Sequence, residues 1–270
     1  DAQAKGFLIG ATSGRTTLNG EGLQHQDGHS HILSSTIPNC KSYDPAYGYE
    51  LAVIIEHGLK EMYKDKKNYF YYLTVTNERY VQPPKPKGKD VDNNIIKGMH
   101  RISDTKKPQI RLLGSGAILN ESLKAAEILS DLGIESEVWS VTSFNMLRKD
   151  GMEAENENIK NPSNKAKESF VAESFKEHDI PTVASTDYMR AYSEQIRPYI
   201  KSSYYTLGTD GFGRRDSRAK LREFFEVDSK SIVMTAAYAL HKEGQLNKKE
   251  LQTIYKEIKV NKNKISPWNT

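Results

Sequence analysis

Short apolar runs separated by amphipathic stretches recur along this chain, and that alternation admits few folds. Gly6–Ala11, Tyr69–Thr76, Ile110–Gly114, Val138–Thr142 and Pro181–Ser185 are aliphatic, β-branched or aromatic runs bounded by glycine, proline or polar residues. Each reads as a strand buried in a sheet. Between them the apolar spacing turns helical. Ala52, Ile55, Leu59 and Met62 predict a core-facing helix over about 45–64, with Asp44 as its N-cap and Pro45 opening it. Leu119, Leu123, Ala126 and Leu129 predict a helix to about 131. Asp187 is expected to cap a helix on which Tyr188, Tyr192, Gln195 and Tyr199 share a face. Asp216 or Ser217 opens a short basic helix, Asp228 caps one carrying Ile232, Ala236 and Leu240, and Asn247 with Glu250 forms a capping box for the last. The fold class expected is α/β, a sheet layered by helices.

The clearest break is Gln82-Pro83-Pro84-Lys85-Pro86-Lys87-Gly88-Lys89-Asp90, whose prolines continue neither a helix nor a central strand. It divides the chain into residues 1–82, a linker over 83–90, and residues 91–270. Two parts suit a length of 270 residues. Residues 150–168 are polar, with Asn161-Pro162-Ser163-Asn164 at their centre, and read as a mobile surface excursion.

Composition excludes several classes. A net charge of +4 spread along the chain is too weak to argue for nucleic acid. The aromatic run 69–76 has no interleaved basic residues and reads as a buried strand, not a base-stacking platform. No apolar run reaches a membrane span and no signal-peptide core is present, so no membrane partner is expected. The one cysteine, Cys40, has no internal partner; it reads as a small core residue in a reducing compartment, and the expected location is cytoplasmic. The chain opens on Asp1 rather than Met and enters a strand-like run almost at once, as a piece of a longer protein would.

The chemistry concentrates in residues 20–31. Gly20, Gly22 and Gly28 shape a loop that holds Glu21, His25, Asp27, His29 and His31. Glu21 and His25 stand four apart. If the loop folds back, the carboxylate orients the imidazole and the pair can hold a substrate oxygen and pass a proton; otherwise both brace a tight turn. His25, Asp27, His29 and His31 also suggest a metal set, but residues two apart on a loop seldom converge and no second cluster completes it, so no metal is expected. His29 and His31 are expected at the start of a following helix, partly buried. Gly10-Ala11-Thr12-Ser13-Gly14-Arg15-Thr16 fails as a phosphate loop, with one residue too few between the glycines and Arg15 where lysine is required. Gly114-Ser115-Gly116 lacks the third glycine of a dinucleotide fingerprint. Gly208–Asp216 sets glycines beside arginines, which could cradle an anion, though packing or a dimer contact is the expected role.

Longer runs carry a resemblance. Ser13-Gly14-Arg15-Thr16-Thr17-Leu18-Asn19-Gly20-Glu21-Gly22-Leu23-Gln24-His25, Tyr43–Tyr47, Ala184–Met189, and Leu207–Arg214 followed by Asp216-Ser217-Arg218 resemble the homodimeric bacterial pyruvate dehydrogenases. These are the thiamine-diphosphate-dependent decarboxylating components of the pyruvate dehydrogenase complex, and the match is to the C-terminal third of their chains. The resemblance implies that residues 1–82 close a transketolase-type pyrimidine-binding domain and that residues 91–270 form a transketolase-type C-terminal domain. It implies that His25 contacts substrate oxygens and serves proton transfer as pyruvate is decarboxylated and its acetyl unit passes to a lipoyl group, with Glu21 in the supporting proton network. It implies thiamine diphosphate and Mg2+ in the complete enzyme, and as partners the rest of the enzyme chain, a second subunit and a dihydrolipoyl acetyltransferase. The family's magnesium-binding Gly-Asp-Gly…Asn motif and its ring-activating glutamate have no match here, so cofactor-binding residues are expected outside this chain and the chain alone is expected not to bind the cofactor. Rival readings are a transketolase or other 2-oxo-acid decarboxylase, a non-catalytic assembly module, and a His-rich metalloprotein.

Overall fold

The computed structural model describes residues 2–11, 13–103, 105–261 and 263–270. Asp1 and Thr12, named above, lie outside the described residues.

The first sheet is parallel and three-stranded. Strand β1 (Phe7–Gly10) and strand β2 (Cys40–Tyr43) flank β3 (Phe70–Thr74). Its aromatic residues explain the central place of β3: Tyr71 and Leu73 are fully buried and pack with Tyr43, Ile54 and Met62. The expectation that 6–11 is a buried strand is corrected. β1 bonds only to β3, and Leu8 and Ile9 stand more than half exposed at the sheet edge. The run is apolar on both faces, as a doubly covered strand is, but among the described residues only Phe7 is covered, by Tyr71 and Gly58, while Leu8 and Ile9 stay open.

After β2 the chain does not start a helix at Pro45. Helix α2 (Gly48–Leu59) has Tyr47 at its N-cap, and Asp44 turns inward. The core-facing stripe is also corrected. Ile54 and Gly58 are buried, whereas Ala52 and Leu59 are exposed. A π turn over Lys60–Lys64 then shifts the phase and brings Met62 into the core. Residues 82–88 carry neither helix nor strand. Helix α3 (Val91–Lys97) and strand β4 (Met99–Arg101) follow, both too short to show a period in the sequence.

The second sheet runs β4–β6–β5–β7–β8, with β5 at Ile110–Gly114, β6 at Ser136–Val141, β7 at Thr182–Ser185 and β8 at Tyr204–Leu207. Only β4 is antiparallel. Strand alternation splits its side chains between two cores. Ile110 and Leu112 of β5 face α4 (Leu119–Asp131) and α9 (Ser229–Lys242), with Leu129, Ala236 and Leu240. Leu113 faces the opposite core with Phe144, Leu147 and Tyr192. Phe144 and Leu147 belong to α5 (Phe144–Lys160), which corrects the reading of residues 150–160 as a loose excursion. Gly151 and Ala154 are the buried positions there, and residues that small leave little hydrophobic period to read. The chain continues through α6 (Phe170–Phe175), α7 (Arg190–Glu194), α8 (Arg218–Phe225) and α10 (Lys248–Glu257). The caps at Ser217, Asp228 and Asn247 form as expected, the last as a capping box with Glu250.

Two buried carboxyl groups tie the sheets together. Glu50 of α2 accepts the Ala46 and Tyr47 N–H groups at 2.6 and 3.0 Å. Its other oxygen meets Ser140 Oγ of β6 at 2.6 Å and His100 Nε2 of β4 at 2.7 Å. Asp44 follows β2 and accepts from Thr74 Oγ1 at 2.8 Å and from Ser115 Oγ, just past β5, at 3.1 Å. Its main chain donates to Thr142 O at 2.8 Å and accepts from Gly116 N at 3.1 Å. Gly116 has φ +51°, and a Cβ there would collide with the Asp44 carboxyl group, so glycine is required.

Burial pushes Asp44 up to about 7, against the pull of its two hydroxyl donors. The unfolded carboxyl ionises near pH 4, so between about pH 4 and 7 the folded state holds a proton that the unfolded state has lost. Asp44 therefore costs stability as pH rises through that window. Asp44→Asn is expected to gain stability relative to wild type as pH goes from 4 to 7, by up to ~1.4 kcal/mol per pH unit, and then level off. Urea denaturation at stepped pH measures it; a pH-independent difference between the two proteins contradicts the assignment.

Candidate active site

The loop after β1 lies over the segments that follow the carboxyl ends of β7 and β8. In open α/β sheets ligand sites gather at that end of the strands. Asp187 fixes the start of the loop. Its carboxylate accepts the Thr16 N–H, with both oxygens at 3.1 Å, and its main-chain oxygen accepts the Arg15 N–H at 3.2 Å. Gly14, at φ +71°, sits so close to the Asp187 side chain that no Cβ fits. Asp187 is thus not the helix N-cap that its place in the sequence suggests; Met189 precedes α7. Burial raises Asp187 to about 6, opposed by the Arg222 charge and by Thr16.

Arg15 is buried and reaches past Gly28 to the chain after β8. Its Nη1 donates to Thr209 O at 2.6 Å and to Gly211 O. Further on, Arg218 Nε donates to Thr17 O at 2.6 Å and Gly20 N donates to Asp216 O at 3.0 Å. The second glycine-rich run, 208–216, therefore packs against the first, and the Ala184–Met189 segment joins them. Three stretches that lie far apart in sequence meet at one place.

Glu21 and His25 come together. Leu23–His25 forms one 3-10 turn, which carries His25 Nε2 to 3.8 Å from Glu21 Oε2. The two side chains are 52% and 53% exposed. They are neither sealed in the core nor on opposite sides of the molecule. An imidazole and a carboxylate, adjacent and open to solvent, can exchange protons with a bound molecule and with water.

The other histidines go elsewhere. His29 is exposed before α1 (Ser30–Ser34), and Asp27 Oδ1 accepts the His29 and Ser30 N–H groups at 2.9 and 3.0 Å. His31 is fully buried, more than the partial burial expected. Its ring stacks on Tyr192 at 4.8 Å and meets Tyr188 edge-on at 4.6 Å. His31 Nε2 lies 2.9 Å from Thr74 Oγ1, whose hydrogen points to Asp44. Thr74 therefore accepts from Nε2–H, and Nδ1 is left bare and buried without a protein partner. Burial drives His31 down to about 3. Among the described residues, no three His, Cys, Asp or Glu side chains converge as a metal site. Cys40 is half-buried and its thiol is pushed up to about 11 by burial, so it is no nucleophile near neutral pH. Among the described residues, no helix is long and apolar enough to cross a membrane.

Sequence reasoning read Asp44 and Asp187 as helix caps and gave Gln26 no role, although its partner is the main chain of Arg214. Both aspartates stand where a helix cap is the ordinary reading, and a cap and a buried bridging carboxylate look alike in sequence.

Known proteins match this chain along most of its length. Residues 1–83 match the model of the pyruvate dehydrogenase E1 component middle domain, and residues 98–228 match that of the transketolase-like C-terminal domain. The pyruvate dehydrogenase E1 component of Pseudomonas aeruginosa is 52% identical over 99% of this chain and 31% of its own length. That of Cupriavidus necator is 46% identical over 100% of this chain and 30% of its length. That of Escherichia coli K12 is 48% identical over 99% and 30%. The chain thus spans about a third of the length of these relatives. Among solved structures, a transketolase from Pichia stipitis superposes with a TM-score of 0.64 at 15% identity, over 87% of this chain and 30% of that one. A split-gene transketolase, an inactive β4 tetramer, gives 0.60 at 14% identity over 87% and 66%. At such identity these two speak for the fold alone.

The neutral state of His31 is directly measurable. In two-dimensional NMR its two ring nitrogens are expected to keep the widely separated shifts of a neutral imidazole from pH 8 down to 5, with only a small step near pH 7 as Asp44 titrates beyond Thr74. The unfolded imidazole gains its proton near pH 6.5, so His31 withdraws stability as pH falls below that value. Convergence of the two nitrogen shifts to imidazolium values with a midpoint above pH 5 contradicts the burial argument.

Proposed function

This chain belongs to the pyruvate dehydrogenase E1 family, and from that premise we propose that it is part of a thiamine-diphosphate-dependent enzyme that oxidatively decarboxylates pyruvate and reductively acetylates lipoyl groups. The observation that carries the reading is the Glu21–His25 pair. It lies in the longest stretch of family resemblance, at the carboxyl end of the second sheet, with both side chains open to an incoming molecule. The reading divides the chain into the end of a pyrimidine-binding domain over 1–82, a linker over 83–90, and a C-terminal domain over 91–270.

In this reading His25 hydrogen-bonds the oxygens of the 2-oxo acid and moves a proton at its Nε2. Glu21 orients that nitrogen and takes part in the proton network. The thiamine cofactor, when bound, supplies the carbon nucleophile that makes loss of carbon dioxide possible. The pair fits a wall beside such a group, because an exposed imidazole and carboxylate can trade protons with it. The pair does not fit as a holder: a carboxylate and an imidazole offer a diphosphate no fixed positive charge, and Arg15 is turned away onto Thr209 and Gly211. The magnesium and diphosphate ligands are assigned to the remainder of the enzyme. A second subunit, a dihydrolipoyl acetyltransferase and a cytoplasmic setting complete the proposal, and this chain alone is inactive.

His25→Ala in the complete enzyme is expected to lower overall complex activity by at least ~10²-fold, the scale of a positioned acid–base group. The 270-residue chain alone is expected to give no heat in a calorimetric titration with thiamine diphosphate and Mg2+. Unchanged turnover in the variant removes His25 from the mechanism, and binding by the chain alone removes the division of labour.

A further inference from the structure

The second glycine-rich run, 208–216, has no role in the proposal above, and its geometry gives it one. Among the described residues, the hydrogen bonds of residues 21–25 all stay within residues 21–26. Gln24 Nε2 donates to Glu21 O at 3.2 Å, His25 N to Gly22 O at 3.3 Å, and Gln26 N to Leu23 O at 3.2 Å. The place of the Glu21–His25 pair is therefore set from its two ends. At one end Gly20 N donates to Asp216 O at 3.0 Å. At the other, Gln26 pairs with the main chain of Arg214 in both directions: Gln26 Nε2 donates to Arg214 O at 2.6 Å, and Arg214 N donates to Gln26 Oε1 at 2.8 Å. Both anchors land on the same three residues of the second run.

The floor between the anchors is Gly213. A Cβ on it would stand 2.6 Å from Gln26 Oε1 and 2.9 Å from Leu23 Cα. Only a residue without a side chain lets the 3-10 turn rest on this loop. The loop is itself held from below, because Thr209 N donates to Tyr188 O at 2.9 Å and Arg190 N donates to Asp210 Oδ2 at 3.1 Å. The acid–imidazole pair thus stands on a scaffold whose own footing is the buried end of β7.

We propose that Gly213 and the main chain of Arg214 to Asp216, gripping Gln26 and Gly20, form a positioning clamp that sets the geometry of the Glu21–His25 pair. Gln26 and Gly213 are positioning residues: they touch the turn, not the reacting atoms. The inference rests on the functional reading above for its kinetic consequence, but its structural content stands without it.

The test uses the complete enzyme carrying Gln26→Ala, Gly213→Ala, His25→Ala and the Gln26→Ala/His25→Ala double variant. Hydrogen–deuterium exchange across residues 20–28 is read alongside kcat and KM for pyruvate. Gln26→Ala and Gly213→Ala are expected to speed exchange at least tenfold at the His25 and Gln26 amides, the two that are hydrogen-bonded within the turn, with thermal unfolding close to wild type, and to lower kcat about tenfold with a smaller change in KM. The double variant is expected to be no slower than His25→Ala, because a clamp acts only through the group it holds. Exchange that stays at the wild-type rate in Gln26→Ala overturns the proposal, and so does a double variant slowed by the product of the two single effects. If Gly213→Ala fails to fold, Gln26→Ala decides alone. If His25→Ala retains full turnover while exchange still speeds up in Gln26→Ala, the clamp stands and the catalytic reading falls.

Discussion

The carboxyl group of Asp44 is sealed from bulk water, so its stabilising contacts come from within the fold. Thr74 supplies one hydroxyl from the first sheet and Ser115 another from the second, and the Asp44 main chain is bonded to Thr142 and Gly116. An acid placed this way costs stability unless each donor stays in place, because an unmatched buried polar group is expensive. The two sheets are therefore not merely in apolar contact. They are held in one register by a group that tolerates little sliding. Glu50, His100 and Ser140 repeat the device farther along the seam. Apolar faces slide and rotate at modest cost, whereas directional bonds to one carboxyl group do not.

The loop that holds Glu21 and His25 depends on the same seam. Thr74, which bonds Asp44, also bonds His31 just after the loop, and Ser115 bonds Thr186, one residue before Asp187. Asp187 then receives the start of the loop through Thr16. A chain of hydrogen bonds thus runs from the join between the sheets to the loop's two flanks, with few exposed steps. The raised values of Asp44 and Asp187 and the depressed value of His31 share one cause, burial, and in all three it favours the neutral form.

Much of the architecture could be read from the residues, and the failures have physical reasons. β3, β5, β6 and β7 announce themselves because buried parallel strands are continuous apolar runs. β1 is the same kind of run, but its place at a sheet edge depends on which strands flank it, and composition carries no record of neighbours. α5 hid because its buried stripe beyond residue 150 is Gly151 and Ala154. Asp44 and Asp187 hid because an aspartate before a helix is ordinarily a cap. Glu21 and His25 were legible as a pair, since spacing and residue type were both visible. Their approach to 3.8 Å was not, because it depends on Gln26 finding a partner 188 positions away.

That distance bears on how the pair holds its shape. Two half-exposed side chains 3.8 Å apart attract each other by no more than ~1 kcal/mol once water and salt screen them. Ordering two rotamer-rich side chains costs a comparable amount, so the attraction alone does not keep them in place. The main chain must supply the order, and residues 21–25 have only a short 3-10 turn of their own. The fixed points therefore lie outside the turn, on glycine-bounded backbone that approaches closely enough to bond it. A carboxylate and an imidazole held this way keep their exposure to solvent. Burying the same pair would gain rigidity and close it to an incoming molecule.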